Sequence, residues 1–398
     1  MTAIAGAGFA ALSRRATAFV ERCPWIGWAG WLFFCGLVLL RMDPQRFAPA
    51  FGYYLKFARR FAEHQALYDP NSLTDVSYWP TTLAVMLPFT AVDPTLAADI
   101  ALSISIAALS WAVVDLMRAM RPGDVNALML AGIVLLNNIM PAWYHFKHVQ
   151  LHILMAAGMI AAAACIVRER WLAASLWLFV ALAVKPIAIV MVLLCIALVP
   201  KTRWPLIVAT IVAVLLPFAL ADASYVAEQY RLFGMKLWTV ATAPPGQWIY
   251  QADFSTLLKS LGIVLPGAVS LPLRAGAAVG TLYLAWRVRG AGGDRTFALA
   301  VLILSGCYLT LFGPRNENVS FLVVTPALAT LAVLMLIHDQ ADRRAWLLIA
   351  ACFVLGFVVS LTVDHFVKPA IMTAVYTWLA WLMIEPVRWR RLVEGPDR

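Results

Sequence analysis

Charged side chains are scarce in this sequence of 398 residues: 13% are Asp, Glu, Lys or Arg, while 63% are hydrophobic. Soluble domains carry about 25% charged and about 45–50% apolar residues, so a water-soluble globular fold is excluded. Also missing is the alternation of apolar and polar side chains that marks a transmembrane barrel strand. Cysteine is sparse. The six are Cys23, Cys35, Cys165, Cys195, Cys307 and Cys352. No two have metal-ligand spacing, and all but Cys23 lie in apolar segments, where cysteine acts as a small hydrophobe. Disulfides and zinc are therefore not expected. There is no Gly-x-x-x-x-Gly-Lys-(Ser/Thr), no Gly-x-Gly-x-x-Gly after a strand, no His-Glu-x-x-His and no Gly-x-Ser-x-Gly. Nucleotide-cradling, zinc-peptidase and serine-hydrolase chemistries thus lack their usual residues. No internal repeat or low-complexity tract is evident.

What is present describes a polytopic all-α membrane protein: a mean hydropathy of +0.81, with 16 Trp and 20 Phe. A spanning helix needs about 20 apolar residues. Apolar segments run over 25–41, 97–118, 125–140, 149–167, 171–185, 186–199, 204–221, 273–288, 295–312, 317–337, 345–363 and 367–386. A shorter one, 79–92, is interrupted by Pro88 and ends at Asp93-Pro94. The net charge of +10 would suggest nucleic acid on a soluble protein. Here the cations sit in short turns, where they fix orientation and meet anionic lipid, and no nucleic-acid partner is expected.

Arg14, Arg15 and Arg22 place the N-terminus inside, ahead of a retained first helix and not a cleaved signal. Later basic turns, at Arg118/Arg121, Arg168/Arg170, Lys201/Arg203, Arg287/Arg289/Arg295, Arg343/Arg344 and 388–391, agree with it if 79–92 dips in and returns. That gives about twelve crossings in one domain, 1–398, with both termini cytoplasmic. A crossing by 79–92 would flip every later loop. In the first topology the polar stretches share the extracytoplasmic side: the first loop Met42–Pro80, NNIMPAWYHFKHVQ (137–150), Lys185-Pro186, the second large loop 222–256, GPRNEN (313–318) and VDHFVKP (363–369). Their convergence is what a single large cavity requires. Within the first loop, Phe51, Tyr54, Phe57 and Phe61 recur at helical spacing opposite Lys56, Arg59, Arg60 and Glu63, which predicts an interfacial helix near 51–64. Loop 222–256 has room for a second one.

Five motifs in order, YYLKFARRF with LYDP, YWPTTLAVMLPF, KHVQLHILMAA, LAVKPIAIV and LFGPRNENVSFLVVTPALA, resemble those of GT-C glycosyltransferases of family 87. They extend over about 300 residues. Two departures stand out: the acid that usually precedes the aromatic pair is absent, with Asp43 the nearest, and Val149 and His152 replace a Gly and an Asn. The resemblance implies a GT-C bundle of a bacterial plasma membrane. It implies transfer of a hexose, mannose by family analogy, from a polyprenyl-phosphate donor to an extracytoplasmic glycan or glycolipid. Such enzymes often need no metal, and no cofactor is expected. Two other readings stay open, a transporter or flippase of lipid-linked sugars and a surface-polysaccharide polymerase or ligase; the absence of two related halves speaks against a transporter.

Inverting glycosyl transfer needs a carboxylate to take the acceptor proton and cations to hold the departing phosphate. Asp43, just past the first helix, is the candidate base, with a turn role before Pro44 as the alternative and Asp69, Asp75 or Glu317 as other acids. Lys185 is the sharpest phosphate candidate, because a lysine inside an apolar run faces a cavity or a partner unless it snorkels. Arg315, Lys368, Lys147 and His148 join it. His148 and His152, four apart, read as one helix face, which a metal site would favour, but no third ligand follows. Tyr53, Tyr54, Tyr68, Asp69, Gln150, Glu317 and Trp248 are the candidates for sugar and acceptor contacts; interfacial aromatic belts explain Trp248 equally well.

Overall fold

The computed structural model describes residues 22–41, 49–70, 72, 78–242, 251–313, 316–317, 320–357 and 361–395. Regular structure there is helical, apart from one isolated antiparallel bridge between Gln251 and Glu317. In chain order the helices are α1 (Ile26–Arg41), α2 (Pro49–Ala62), α3 (Pro80–Met86), α4 (Pro94–Met120), α5 (Ala127–Asn137), α6 (Ile139–Lys147), α7 (His152–Val167), α8 (Trp171–Val184) and α9 (Ile189–Leu198). The second half holds α10 (Pro200–Leu215), α11 (Ala223–Thr242), α12 (Phe254–Ser260), α13 (Gly267–Ala291), α14 (Asp294–Phe312), α15 (Thr325–His338), α16 (Arg343–Gly356), α17 (Leu361–Ile384) and α18 (Pro386–Glu394).

The core is built around α7. Ten of the sixteen residues in its sequence, HILMAAGMIAAAACIV, are Ala, Gly, Cys or Met, and nearly every residue is buried. Small side chains let backbones approach closely, which is how helices associate where no water drives them together. So α4, α8 and α14 all pack on it, and a Cβ at Gly158 would lie 3.0 Å from the Ala181 Cβ. The pair α1 and α5 uses the same device more tightly. A Cβ on Gly27 would fall 2.4 Å from the Gly132 carbonyl carbon.

Among the described residues, four helices are long and apolar enough to cross a membrane: Pro94–Met120, Pro200–Ala219, Asp294–Phe312 and Asp364–Ile384. Helices α5 and α6 qualify as a pair, bent by 63°. Helix length among the described residues thus supports four crossings, or five, against the twelve expected. The expected segments do form helices, but many are cut short. Pro186 divides the run holding α8 and α9, and Pro200 separates α9 from α10, because proline lacks the donor the ladder needs. The helix predicted near 51–64 forms as α2, with Phe51, Tyr54, Phe57 and Phe61 buried and Lys56, Arg59 and Glu63 exposed. The second large loop contributes α11.

Basic turns collect at the far end of α4 from α2. Arg121 pairs with Asp124 at 2.9 Å and Arg168 with Asp115 at 2.7 Å, while Lys201 lies 3.8 Å from Glu169. At 1.5 Å per residue, the 27 residues of α4 separate these turns from α2 by about 40 Å.

Candidate active site

The site is organised by two helix breaks. Proline disfavours helical backbone in the residue before it, so α8 stops at Val184 and Lys185 is extended. The freed carbonyls are not left bare: the Thr82 hydroxyl donates to Ala183 O (3.2 Å) and Val184 O (3.0 Å), and Trp79 Nε1 to Ala183 O (3.4 Å). Helix α3 is thereby fastened to the break. The Lys185 ammonium comes 3.0 Å from His152 Nδ1 and 5.3 Å from the centre of the Tyr78 ring. The second break separates α6 from α7, where Val149 takes φ of 46°, a region β-branched residues rarely enter. This turn folds Gln150 back so that its Oε1 lies 2.6 Å from His145 Nδ1 and 3.2 Å from His152 Nδ1. All three side chains are buried.

Tyrosines close the other side. The Tyr54 and Tyr78 hydroxyls share a hydrogen bond of 2.9 Å, and the Leu151 backbone N–H reaches the Tyr54 oxygen. Tyr68 donates to the Tyr78 carbonyl at 2.6 Å. Burial pushes the Tyr54 hydroxyl well above the ordinary tyrosine range, Tyr78 adds to the shift, and the nearby Glu317 carboxylate acts in the same direction. Tyr68 is raised likewise, chiefly by burial. Both therefore stay protonated hydrogen-bond donors at neutral pH. The arrangement offers a half-buried cation and the Tyr54–Tyr78 hydroxyl pair, chemistry suited to an anion carrying oxygens.

One face of α11 holds the main chain that carries these tyrosines. Tyr225 donates to Gln65 O at 2.7 Å, Gln229 Oε1 accepts from Leu67 N–H at 3.0 Å, and Phe233 packs on Tyr68 with ring centres 5.5 Å apart. One turn on, the fully buried Lys236 donates to the carbonyls of Ser72 and, at 3.4 Å, Asp69. Neither Lys236 nor Tyr78 and Thr82 stood out in the sequence as site residues. A lysine in register with Tyr225, Gln229 and Phe233 was the available signal.

Of the expected site residues, the fold brings Tyr54, Gln150 and Lys185 together, with Tyr68 behind them and Glu317 close to Tyr54. Tyr53 is directed elsewhere, 57% exposed and stacked on Phe57. Asp69 is exposed and its carbonyl accepts from Ser72 N–H, a turn role. Lys147 is half-buried; His148 is half-buried against Tyr144 at 4.2 Å between ring centres. Burial, then the Lys147 charge, holds the His148 ring below its ordinary value. Lys368 is buried, 3.3 Å from Asp364 and 5.8 Å from the Phe321 ring centre. Asp43, Arg315 and Trp248 lie outside the described residues, as does Asp75. One expectation is corrected: His148 and His152 do not share a helix face. The break at Val149 puts one at the end of α6 and the other at the start of α7, and it is His145 whose ring lies by His152, with centres 5.1 Å apart. Among the described residues no group of three His, Cys, Asp or Glu side chains is placed to hold a metal ion.

The family model of glycosyltransferase family 87 matches residues 77–314, well over half of the sequence. The chain belongs to glycosyltransferase family 87. The family 87 match takes in Tyr78, Thr82, Gln150, His152 and Lys185, and it begins after Asp43 and Tyr54 and ends before Arg315 and Glu317. A solved oligosaccharyltransferase from Archaeoglobus fulgidus, in the apo form, is similar at 12% identity and a TM-score of 0.41, over 94% of this chain and 57% of that one. The chain thus spans little more than half the length of that relative. No curated protein matches.

Proposed function

We propose that this glycosyltransferase moves a hexose, mannose, from a polyprenyl-phosphate donor to an extracytoplasmic glycan or glycolipid. In that reaction the acceptor oxygen attacks the anomeric carbon while a carboxylate takes its proton. The bond from that carbon to the phosphate oxygen breaks, and the lipid phosphate leaves with the electron pair. The observation that carries the reading is the Lys185 ammonium, lodged at a helix break between His152 and the face of Tyr78. A cation fixed in a water-poor site stabilises charge that develops on a leaving group far better than one in water. Lys147, His148, Arg315 and Lys368 are further phosphate candidates. Tyr53, Tyr54, Tyr68, Asp69, Gln150, Glu317 and Trp248 are the proposed sugar and acceptor contacts. Asp43 is the proposed base. The proposal includes a GT-C bundle of about twelve crossings, a bacterial plasma membrane, and both termini in the cytoplasm.

The test is transfer of labelled mannose from polyprenyl-phosphate-mannose to a lipid acceptor extract, by native protein, Lys185→Ala and Asp43→Asn in lipid. Loss of a transition-state contact of this kind costs about 3 kcal/mol, so kcat for Lys185→Ala should fall about 100-fold. Transfer at the native rate by Lys185→Ala would refute the phosphate role, and by Asp43→Asn the base. Transfer from glucose or arabinose donors alone would replace the sugar assignment.

A further inference from the structure

The outward face of α2 forms a second feature, distinct from the tyrosine face. Lys56, Arg59, Arg60 and Glu63 are spaced three and four apart, so they share one side of the helix. With Gly52, Leu55, Gln65 and Pro94 they line an open groove of about 440 Å³. Three cations there meet one carboxylate, and the Gln65 amide holds that carboxylate at 2.8 Å. Among the described residues none of the three cations forms an ion pair, and Arg60 is steadied over the Phe57 ring at 5.0 Å. Gly52 widens the groove, since a Cβ there would meet nothing within 4 Å. The rim residue Pro94 begins α4, which runs on with Leu96, Ile100 and Ile104 exposed. A concentrated positive groove leading to an exposed apolar ridge is matched by a molecule with an anionic head and an acyl tail.

We propose that this groove seats the head group of an anionic membrane phospholipid, its phosphate on Lys56, Arg59 and Arg60 and its acyl chains along α4. The seat sets the depth of α2 in the interface, and it is separate from the site holding Lys185.

The experiment titrates the purified full chain, in neutral detergent, with dioleoyl phosphatidylglycerol, and counts retained lipid by native mass spectrometry. A lysine or arginine near the surface strengthens binding of anionic lipid about fivefold. The triple variant K56Q/R59Q/R60Q should therefore weaken the tightest phosphatidylglycerol about 100-fold. Gly52→Leu keeps every charge, suits a helix, and should displace the same lipid by filling the groove. Native affinity in both variants would overturn the proposal. Loss in the triple variant alone would too, since it would mean diffuse attraction and not a seat. So would phosphatidylcholine binding equally tightly, or displacement of the phosphatidylglycerol by millimolar inorganic phosphate or by equimolar polyprenyl phosphate. If the triple variant does not fold, Gly52→Leu decides.

Discussion

Replacing Lys236 by methionine tests whether α11 holds the tyrosine-bearing loop. Methionine keeps the length and apolar stem of lysine but removes the ammonium that meets the carbonyls of Asp69 and Ser72. A hydrogen bond from a charged group is worth about 1.5–3 kcal/mol, and the side chain is fully buried, so water does not replace it readily. The free energy of opening residues 65–72 should fall by about 2–3 kcal/mol, which at 1.4 kcal/mol per tenfold is about 30–100-fold. Hydrogen exchange reads this at two amides. Leu67 N–H is bonded to Gln229 and Ser72 N–H to Asp69 O. Neither is bonded to Lys236, so faster exchange there reports release of the loop and not merely the deleted bond. Amides within α7 should not change. Unchanged exchange at Leu67, or equal acceleration across α7, would refute the reasoning.

Two further outcomes follow from packing and from charge. Gly27→Val drives two methyl groups into the Gly132 backbone and should destabilise the protein by about 1–3 kcal/mol, seen as a lower melting temperature in detergent. Gly36→Ala on the same helix has nothing within 4 Å and should leave that temperature no lower, since alanine favours a helix over glycine. His148 is held below its ordinary value by burial and by Lys147. Above about pH 6.5 it is neutral folded and unfolded alike; as pH falls the unfolded chain takes the proton first, and stability is lost until the folded value is passed. A scan of melting temperature from about pH 7.5 to 5 should therefore be shallower for His148→Gln than for the native chain; identical slopes would refute this.

Much of the architecture was legible because its signals are local. The positions of the apolar helices follow from composition, and α2 from aromatic spacing that must face one way. Lys185 stood out because a cation beside a proline in an apolar run needs a reason, and the break it marks is where the fold concentrates polar contacts. Features that depend on distant pairing were hidden. Val149 has no sequence property that announces a left-handed backbone, so His148 and His152 read as neighbours on one helix. Lys236 looks like an ordinary loop lysine until Ser72 is brought beside it, 164 positions away in sequence. Thr82 likewise caps carbonyls 101 and 102 residues distant. Helix length and hydropathy differ for a related reason: hydropathy measures how apolar a run is, while prolines such as Pro186 and Pro200 decide how long a straight helix lasts.

The attachment of the first loop to α11 has a consequence in time. A ribosome adds about 5–20 residues per second, so the 164 residues between Ser72 and Lys236 take roughly 8–33 s to make. Through that interval the tyrosine loop exists without the helix that anchors it, and α4, α7 and α8 are synthesised before it ends. The tyrosine surface is thus made well before the helix that holds it. Chains interrupted before α11 emerges would carry most of the helical core and none of the anchor on which Tyr68 and Tyr78 rest.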